Sequence, residues 1–369
     1  MNLKIRKEIL LEKLNYVGKA LSNKNLIPSL SGIKFELTEK GLMLICSDDD
    51  IVIKSFIPKQ NILVINHLGN IILPGKYILE IIKKIPTDII TIETDGSIVL
   101  IKTNTSEYSL NGMDNSEYPQ YNFDLTKYPV LIDKTILNNI INQTSFAISH
   151  QESRPILTGL NFNLENNLLE VTGTDSYRLA KKTVKINSQT KDKINIVIPG
   201  KNLIELTKIL EDIEEEIEIH ILNNNVLFKF NDILFQSRLL NGTYPNVSNL
   251  IPSDFELELL LDATEFYNMI DRTSLLSEKN IVQLIVEKQE IIMSSDSQEV
   301  GKVEERMLLK HSQTKNIKIS FNAKYMMEAL KSLQSKEILL LINNDIKPII
   351  IKAPQNDTLI QLVLPIKTY

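Results

Sequence analysis

Residues 69–76, GNIILPGK, come close to a phosphate-binding loop. Such a loop needs four residues between its glycines and a Ser or Thr after the lysine to hold magnesium on a nucleotide. Here five residues separate Gly69 from Gly75, and Tyr77 follows Lys76. An ATP-binding enzyme therefore fails on count and on chemistry. Asp48, Asp49 and Asp50 form a carboxylate run, but no partner set of carboxylates or histidines stands near it, and a solvated turn at a strand end explains it better. His67, His150, His220 and His311 are scattered, and Ser149 beside His150 is poor geometry for a nucleophile and its base. The expectation is a protein with no catalytic residues, no metal site and no cofactor.

The cations are more regular. Lys76, Glu80 and Lys83 recur as Lys201, Glu205 and Lys208, and again as Lys324, Glu328 and Lys331. At about 100° per residue the three members of each set share one helical face. The opposite face is apolar: Ile78, Ile81, Ile82 and Ile85, then Leu203, Leu206 and Leu210, then Met326, Ala329, Leu330 and Leu333. One such helix would be an ordinary solubilised surface element. Three with the same cation positions suit neutralisation of phosphates without reading bases. Neither an aromatic stacking motif nor a helix-turn-helix or zinc finger accompanies them. A repeat-built protein scaffold that never encircles DNA is the rival reading.

These helices belong to a longer repeat. LPGKYILEIIKKI (73–85) returns as IPGKNLIELTKIL (198–210) and as NAKYMMEALKSL (322–333), so Gly75, Gly200 and Ala323 align with a period of about 124 residues. IPSLSGIKFEL (27–37) matches RPILTGLNFNL (154–164). Ser22, Ser149 and Ser277 each close an amphipathic segment, and in the first of these Leu10, Leu14, Val17 and Leu21 share a face. Asp48, Asp175 and Asp296 each follow an apolar run, and LNG at 110–112 and 240–242 is followed by Pro119 and Pro245. The third copy reaches its proline at Pro365. Each copy reads helix, strands, helix, strands. The expectation is three α+β domains of common topology at 1–125, 126–252 and 253–369, bounded by polar segments rich in Pro and Asn.

The 369 residues, 43% hydrophobic and 24% charged, fit a soluble protein of two or three domains. A single cysteine, Cys46, rules out an internal disulfide and fits a reducing compartment. The N-terminal residues mix charge into apolar sequence, unlike a signal peptide or membrane span, so a cytoplasmic protein without membrane contact is expected. The net charge of −5 argues against a uniformly basic nucleic-acid binder but permits a basic patch.

Three motifs carry a family resemblance. TDSYRLA (174–180) resembles the TDGHRLA segment of the bacterial β sliding clamps, the β subunits of DNA polymerase III. NGTYPNVSNLIP (241–252) resembles their G-R/T-F/Y-P-x-Y-x-x-x-I/L-P segment, and VLPIKTY (363–369) their C-terminal ending. With the threefold repeat, the resemblance covers the whole chain. It implies a clamp fold with helices lining the inside and antiparallel sheets outside, closed as a ring-shaped head-to-tail homodimer around duplex DNA. It implies a non-enzymatic processivity factor whose partners are the replicative polymerase, the clamp loader and other DNA enzymes.

Carried over by motif, the partner-peptide pocket comprises Leu157, Thr174, Arg178, Leu179, Pro245, Leu250, Tyr325, Leu362, Leu364, Pro365 and Ile366. Arg178 has a structural alternative, fixing the turn, and Leu157 and Leu179 have one in core packing. DNA-facing residues would be Lys76, Lys83, Lys201, Lys208, Lys324 and Lys331, with Lys24, Gln151, Arg154 and Lys279 on loops after each first helix. Ring closure would set 107–111 against Leu275 and Leu276. The chain departs from the family at Ser176 and Tyr177, where Gly-His is often seen, at Asn249, where many members carry a basic residue, and in a slightly longer C-terminus.

Overall fold

The computed structural model describes residues 1–21, 27–188, 193–210, 216–311, 313 and 315–367. Ser22, Lys24, Thr368 and Tyr369 lie outside the described residues.

Among the described residues six α-helices occur in three pairs: α1 (Lys7–Val17) and α2 (Gly75–Lys84), α3 (Lys134–Thr144) and α4 (Gly200–Leu210), α5 (Ala263–Ser274) and α6 (Ala323–Leu333). Each begins on the residue after a strand ends: Asn2–Arg6, Gly69–Pro74, Val130–Asp133, Ile194–Pro199, Leu257–Asp262 and Ile317–Asn322. The phosphate-loop-like residues are therefore a strand running straight into α2, with no loop to cradle a phosphate. Side-chain caps start α5 and α6. Asp262 Oδ1 accepts from Glu265 N at 2.8 Å, and Asn322 Oδ1 from Tyr325 N at 3.1 Å.

The repeated glycine marks a close approach. A Cβ on Gly75 would sit 2.2 Å from Leu21 Cδ2, and one on Gly200 2.2 Å from Ile148 Cδ1. The third copy has room for Ala323, which is buried. Leu21 lies beyond α1, which ends at Val17, so the face within that helix is Leu10, Leu14 and Val17, all buried.

Strand pairing among the described residues is antiparallel, and two sheets have eight strands. The first runs Val130–Asp133, Glu216–Ile221, Asn225–Phe230, Ile233–Arg238, Ile51–Pro58, Gly41–Ser47, Gly32–Thr38, Gly69–Pro74. The second runs Ile194–Pro199, Gly159–Glu165, Leu168–Thr174, Arg178–Lys185, Leu359–Val363, Ile349–Lys352, Glu337–Ile342, Leu257–Asp262. Each joins strands of successive repeats across a seam. Phe235 stands opposite Ile53 at the first seam, and Gln361 opposite Ala180 at the second. A five-stranded sheet ends in Glu107–Asn111 and a four-stranded sheet in Gly301–Leu308.

The chain divides into two compact units, one of Met1–Lys134, Asn187–Thr190 and Glu205–Leu239, the other of Thr135–Ile186, Lys191–Ile204 and Leu240–Tyr369. The division cuts the middle repeat because each eight-stranded sheet takes half its strands from it. In the first unit Leu3, Ile5, Leu10, Leu14, Phe35, Ile78 and Ile82 are fully buried. In the second, Phe266, Leu284, Phe321, Met326 and Leu340 belong to one core. No helix among the described residues is long and apolar enough to cross a membrane.

Candidate partner cleft and cation-bearing helix faces

The strand-end carboxylates build turns. Asp175 Oδ1 accepts from Tyr177 N at 2.9 Å and Arg178 N at 3.0 Å. Asp48 Oδ1 accepts from Asp50 N at 3.1 Å and Ile51 N at 2.9 Å. Both are Asx turns, and in both the next residue takes a left-handed backbone: Ser176 at φ 78° and Asp49 at φ 76°. The third landmark differs. Asp296 lies inside the strand Glu290–Ser297 and pairs with Lys302 at 2.8 Å. Among the described residues no cluster of acidic, His or Cys side chains could hold a metal.

The turn delivers Arg178 into the second unit's interior, where it is only 5% exposed. Its Nε donates to Asp175 Oδ2 at 3.0 Å and its Nη1 to Glu328 Oε2. The guanidinium lies 4.4 Å from the Tyr325 ring centroid and 5.4 Å from that of Phe146. Thr174 Oγ1 donates to the Arg178 carbonyl at 2.6 Å. Arg178 therefore ties α6 to the turn, and its guanidinium is occupied by protein partners. Glu328, expected on a solvent-facing set with Lys324 and Lys331, instead serves this cation. Burial, followed by the nearby Asp175 carboxylate, pushes the Tyr325 phenol upward against the opposing effect of Arg178.

Beside this network Leu179, Leu362, Val247, Leu341 and Ile350 form an apolar floor, with Leu364, Ile251 and Phe255 packed against it. The linker crosses it. Half-buried Tyr244 donates to the Thr172 carbonyl at 3.2 Å, while Pro245 is exposed and Leu250 is 48% exposed. The C-terminal tail is held by Leu364 N to the Tyr177 carbonyl at 2.9 Å and Ile366 N to the Ser320 carbonyl at 2.7 Å, leaving Leu364, Pro365 and Ile366 half-buried. Of the expected pocket residues, Leu179, Leu362 and Leu364 thus come together. Leu157 is buried in the short turn Pro155–Thr158 and is not part of that floor. The motifs did not single out Val247, Leu341 or Ile350; Val247 lay inside the quoted linker segment, and the other two depend on sheet pairing.

On the helices, Lys76, Lys83, Lys201, Lys208, Lys324 and Lys331 are all exposed, as are Gln151, Arg154 and Lys279. The paired glutamates differ among copies. Glu80 meets Lys84 at 3.2 Å and Glu205 meets Lys208 at 2.7 Å. Lys331 lies 5.0 Å from the Tyr267 ring centroid, and its hydrogen bond to that phenol raises its pKa. Lys279 has a left-handed backbone, φ 57°. At the other expected contact, Leu275 is 79% exposed at the end of α5, and Leu276 is half-buried.

Family models for the DNA polymerase III beta subunit match end to end: the N-terminal domain over residues 1–122, the central domain over 131–246 and the C-terminal domain over 248–367. The beta sliding clamp of Bacillus subtilis is 40% identical over 378 residues, covering all of both chains, and that of Staphylococcus epidermidis is 38% identical over 377 residues with the same coverage. A crystal structure of the Bacillus subtilis DNA polymerase sliding clamp superposes with a TM-score of 0.95 at 39% identity, and the Streptococcus pneumoniae DNA polymerase III beta chain with 0.95 at 31%, each covering both chains fully. The chain belongs to the DNA polymerase III beta subunit family, the bacterial sliding clamps, three-domain proteins that serve the replicative polymerase as non-catalytic processivity factors.

Proposed function

We propose that two copies of this chain close head to tail into a cytoplasmic ring that encircles duplex DNA and tethers the polymerase, the clamp loader and other DNA enzymes through the cleft around Leu179 and Leu362. The observation that carries the ring is an unfinished pattern. At both internal seams the last strand of one repeat pairs with the third sheet strand of the repeat before it. Among the described residues the first repeat's last strand, Glu107–Asn111, and the third repeat's counterpart, Gly301–Leu308, are both sheet edges. An unpaired edge is a template for another strand, and a heterologous contact that closes at two subunits needs these two edges and no others.

The proposed intermolecular register extends the internal one. Phe235, Gln361 and Tyr108 pair with Phe228, Ile351 and Ile101 respectively, each just before a lysine. Ile53, Ala180 and Glu304 pair with Cys46, Gly173 and Ser294. Tyr108 of one copy then faces Glu304 of the next. Cysteines at Tyr108 and Glu304 in one chain should oxidise to a covalent dimer, since opposed strand residues meet disulfide geometry. Native Cys46 is buried, which pushes its thiol pKa up and keeps it from competing. No cross-link, with a monomer mass in sedimentation, would contradict the ring.

The exposed lysines of α2, α4 and α6 support loose phosphate contact, with Gln151, Arg154 and Lys279 as further donors. Pro245, Leu250, Pro365 and Ile366 rim the cleft, and Thr174, Arg178, Leu157 and Tyr325 shape its wall from behind. Leu275 and Leu276 extend the closure contact beyond the strands.

A further inference from the structure

The linker at the first seam starts as the linker at the second does. Buried Tyr118 donates to the Ile45 carbonyl at 3.2 Å, as half-buried Tyr244 does to Thr172, and each accepting residue stands three before the strand-end Asp48 or Asp175. Val52 and Leu179 each stand four residues after that aspartate, on strands that pair with the next repeat. Counted on from the two tyrosines, Tyr121 stands where the second linker has Val247, and Phe123 where it has Asn249.

Those two exchanges change what covers the sheet. At the second seam Val247 is part of the floor with Leu179 and Leu362, and Asn249 is exposed. At the first, Tyr118, Tyr121 and Phe123 lie on Ile45, Val52 and Ile72. Tyr118 and Tyr121 meet edge to face at 6.2 Å, and Phe123 follows 6.4 Å from Tyr121. Lys54 lies 4.8 Å from the Phe123 ring centroid, a cation–π contact. The linker is also fixed across the seam: Thr126 N donates at 3.0 Å to Nδ1 of His220, which is buried in the second repeat. Residues 118–126 thus form a strap tied to the first repeat at one end and to the second at the other.

We propose that the first seam is a second apolar-peptide site that the chain keeps closed with its own linker. Tyr121 and Phe123 take against Ile45 and Val52 the place that a partner's apolar side chains take against Leu179 and Leu362. The proposal rests on the peptide-cleft reading of the second seam. A segment tethered beside its own floor has an effective concentration of roughly millimolar, so a free peptide is excluded while the rings stay seated. Each chain then offers partners one open cleft, although two of its seams are built to hold apolar side chains.

Exchanging the linker side chains tests this on the full chain. Tyr121→Val with Phe123→Asn gives the first linker the residues of the second. The probe is Ac-Gln-Tyr-Asn-Phe-Asp-Leu-amide, the sequence of residues 120–125, titrated by calorimetry. Wild type should take one peptide per chain and the double variant two, with hydrogen exchange over 119–126 faster than in wild type. Leu364→Ala should weaken the wild-type site and leave the added one. Thr126→Pro removes the contact to His220 while leaving the apolar floor intact, and should give the same added site. An unchanged peptide count in both variants would overturn the proposal, and so would a linker that exchanges as slowly in both as in wild type. Wild type taking no peptide while the variants take one would fault the second-seam reading alone.

Discussion

Ser176 holds a left-handed backbone at φ 78° where the resembling family segment has glycine. A side chain there is strained, so Ser176→Gly should stabilise the second unit by about 1 kcal/mol, read as a rise in the urea midpoint without a change in slope. Arg178 makes the opposite case. It is enclosed by two carboxylates and two rings, and removal leaves Asp175 and Glu328 facing each other without a cation. Arg178→Ala should cost about 3 kcal/mol, and Arg178→Lys should recover only part of it because an ammonium lacks the planar fork. A third residue reports through pH. Partial burial works to raise the Glu218 carboxyl, but Lys229 at 2.8 Å and His220 at 3.1 Å outweigh it and hold its pKa below the usual value. A depressed folded value stabilises the fold above the unfolded pKa and loses that contribution as pH falls through the folded one. The stability difference between wild type and Glu218→Gln should be constant above about pH 5 and shrink below about pH 4, as measured by urea titration across pH. A difference that grows on acidification would contradict this.

At the scale of elements, the helices were the most legible part of the sequence. Their apolar faces repeat at helical spacing, and Ile78, Ile82, Leu203, Leu206, Met326 and Ala329 are all buried. The carboxylate run could be judged from local turn chemistry, which needs only Asp48 and its next three residues. What the sequence hid is non-local. Glu328 looks like a solubilising residue until Arg178 arrives from 150 positions away. Leu341 and Ile350 join the cleft floor only through sheet pairing, and the matching of Tyr118 with Tyr244 needs the carbonyls they reach. No sequence motif marks the strand Gly301–Leu308, because an open edge is a property of neighbours that are missing. The helix reading predicts that Lys76→Glu, Lys201→Glu and Lys324→Glu together leave stability within about 0.5 kcal/mol per site yet sharply reduce loading on DNA. Equal loading by the triple variant would favour a scaffold that ignores DNA. The cleft reading predicts that Pro245→Ala, or a chain ending after Leu364, weakens binding of polymerase-derived peptides. The dimer should survive, because neither change touches Glu107–Asn111 or Gly301–Leu308.

For the whole molecule, the two seams show one rule applied twice within the chain, and the proposed ring would apply it once more, between the two open edges of neighbouring copies. Such a ring would hold DNA by topology, so individual lysine contacts can stay weak and the ring can slide. The most direct test loads the protein with its clamp loader onto a nicked circular duplex, isolates the complex by gel filtration and cuts the DNA once with a restriction enzyme. Encirclement predicts that the protein leaves the linear product while staying on the uncut circle. Retention on the linear DNA at the same salt would mean that direct affinity holds the protein, and would contradict the ring.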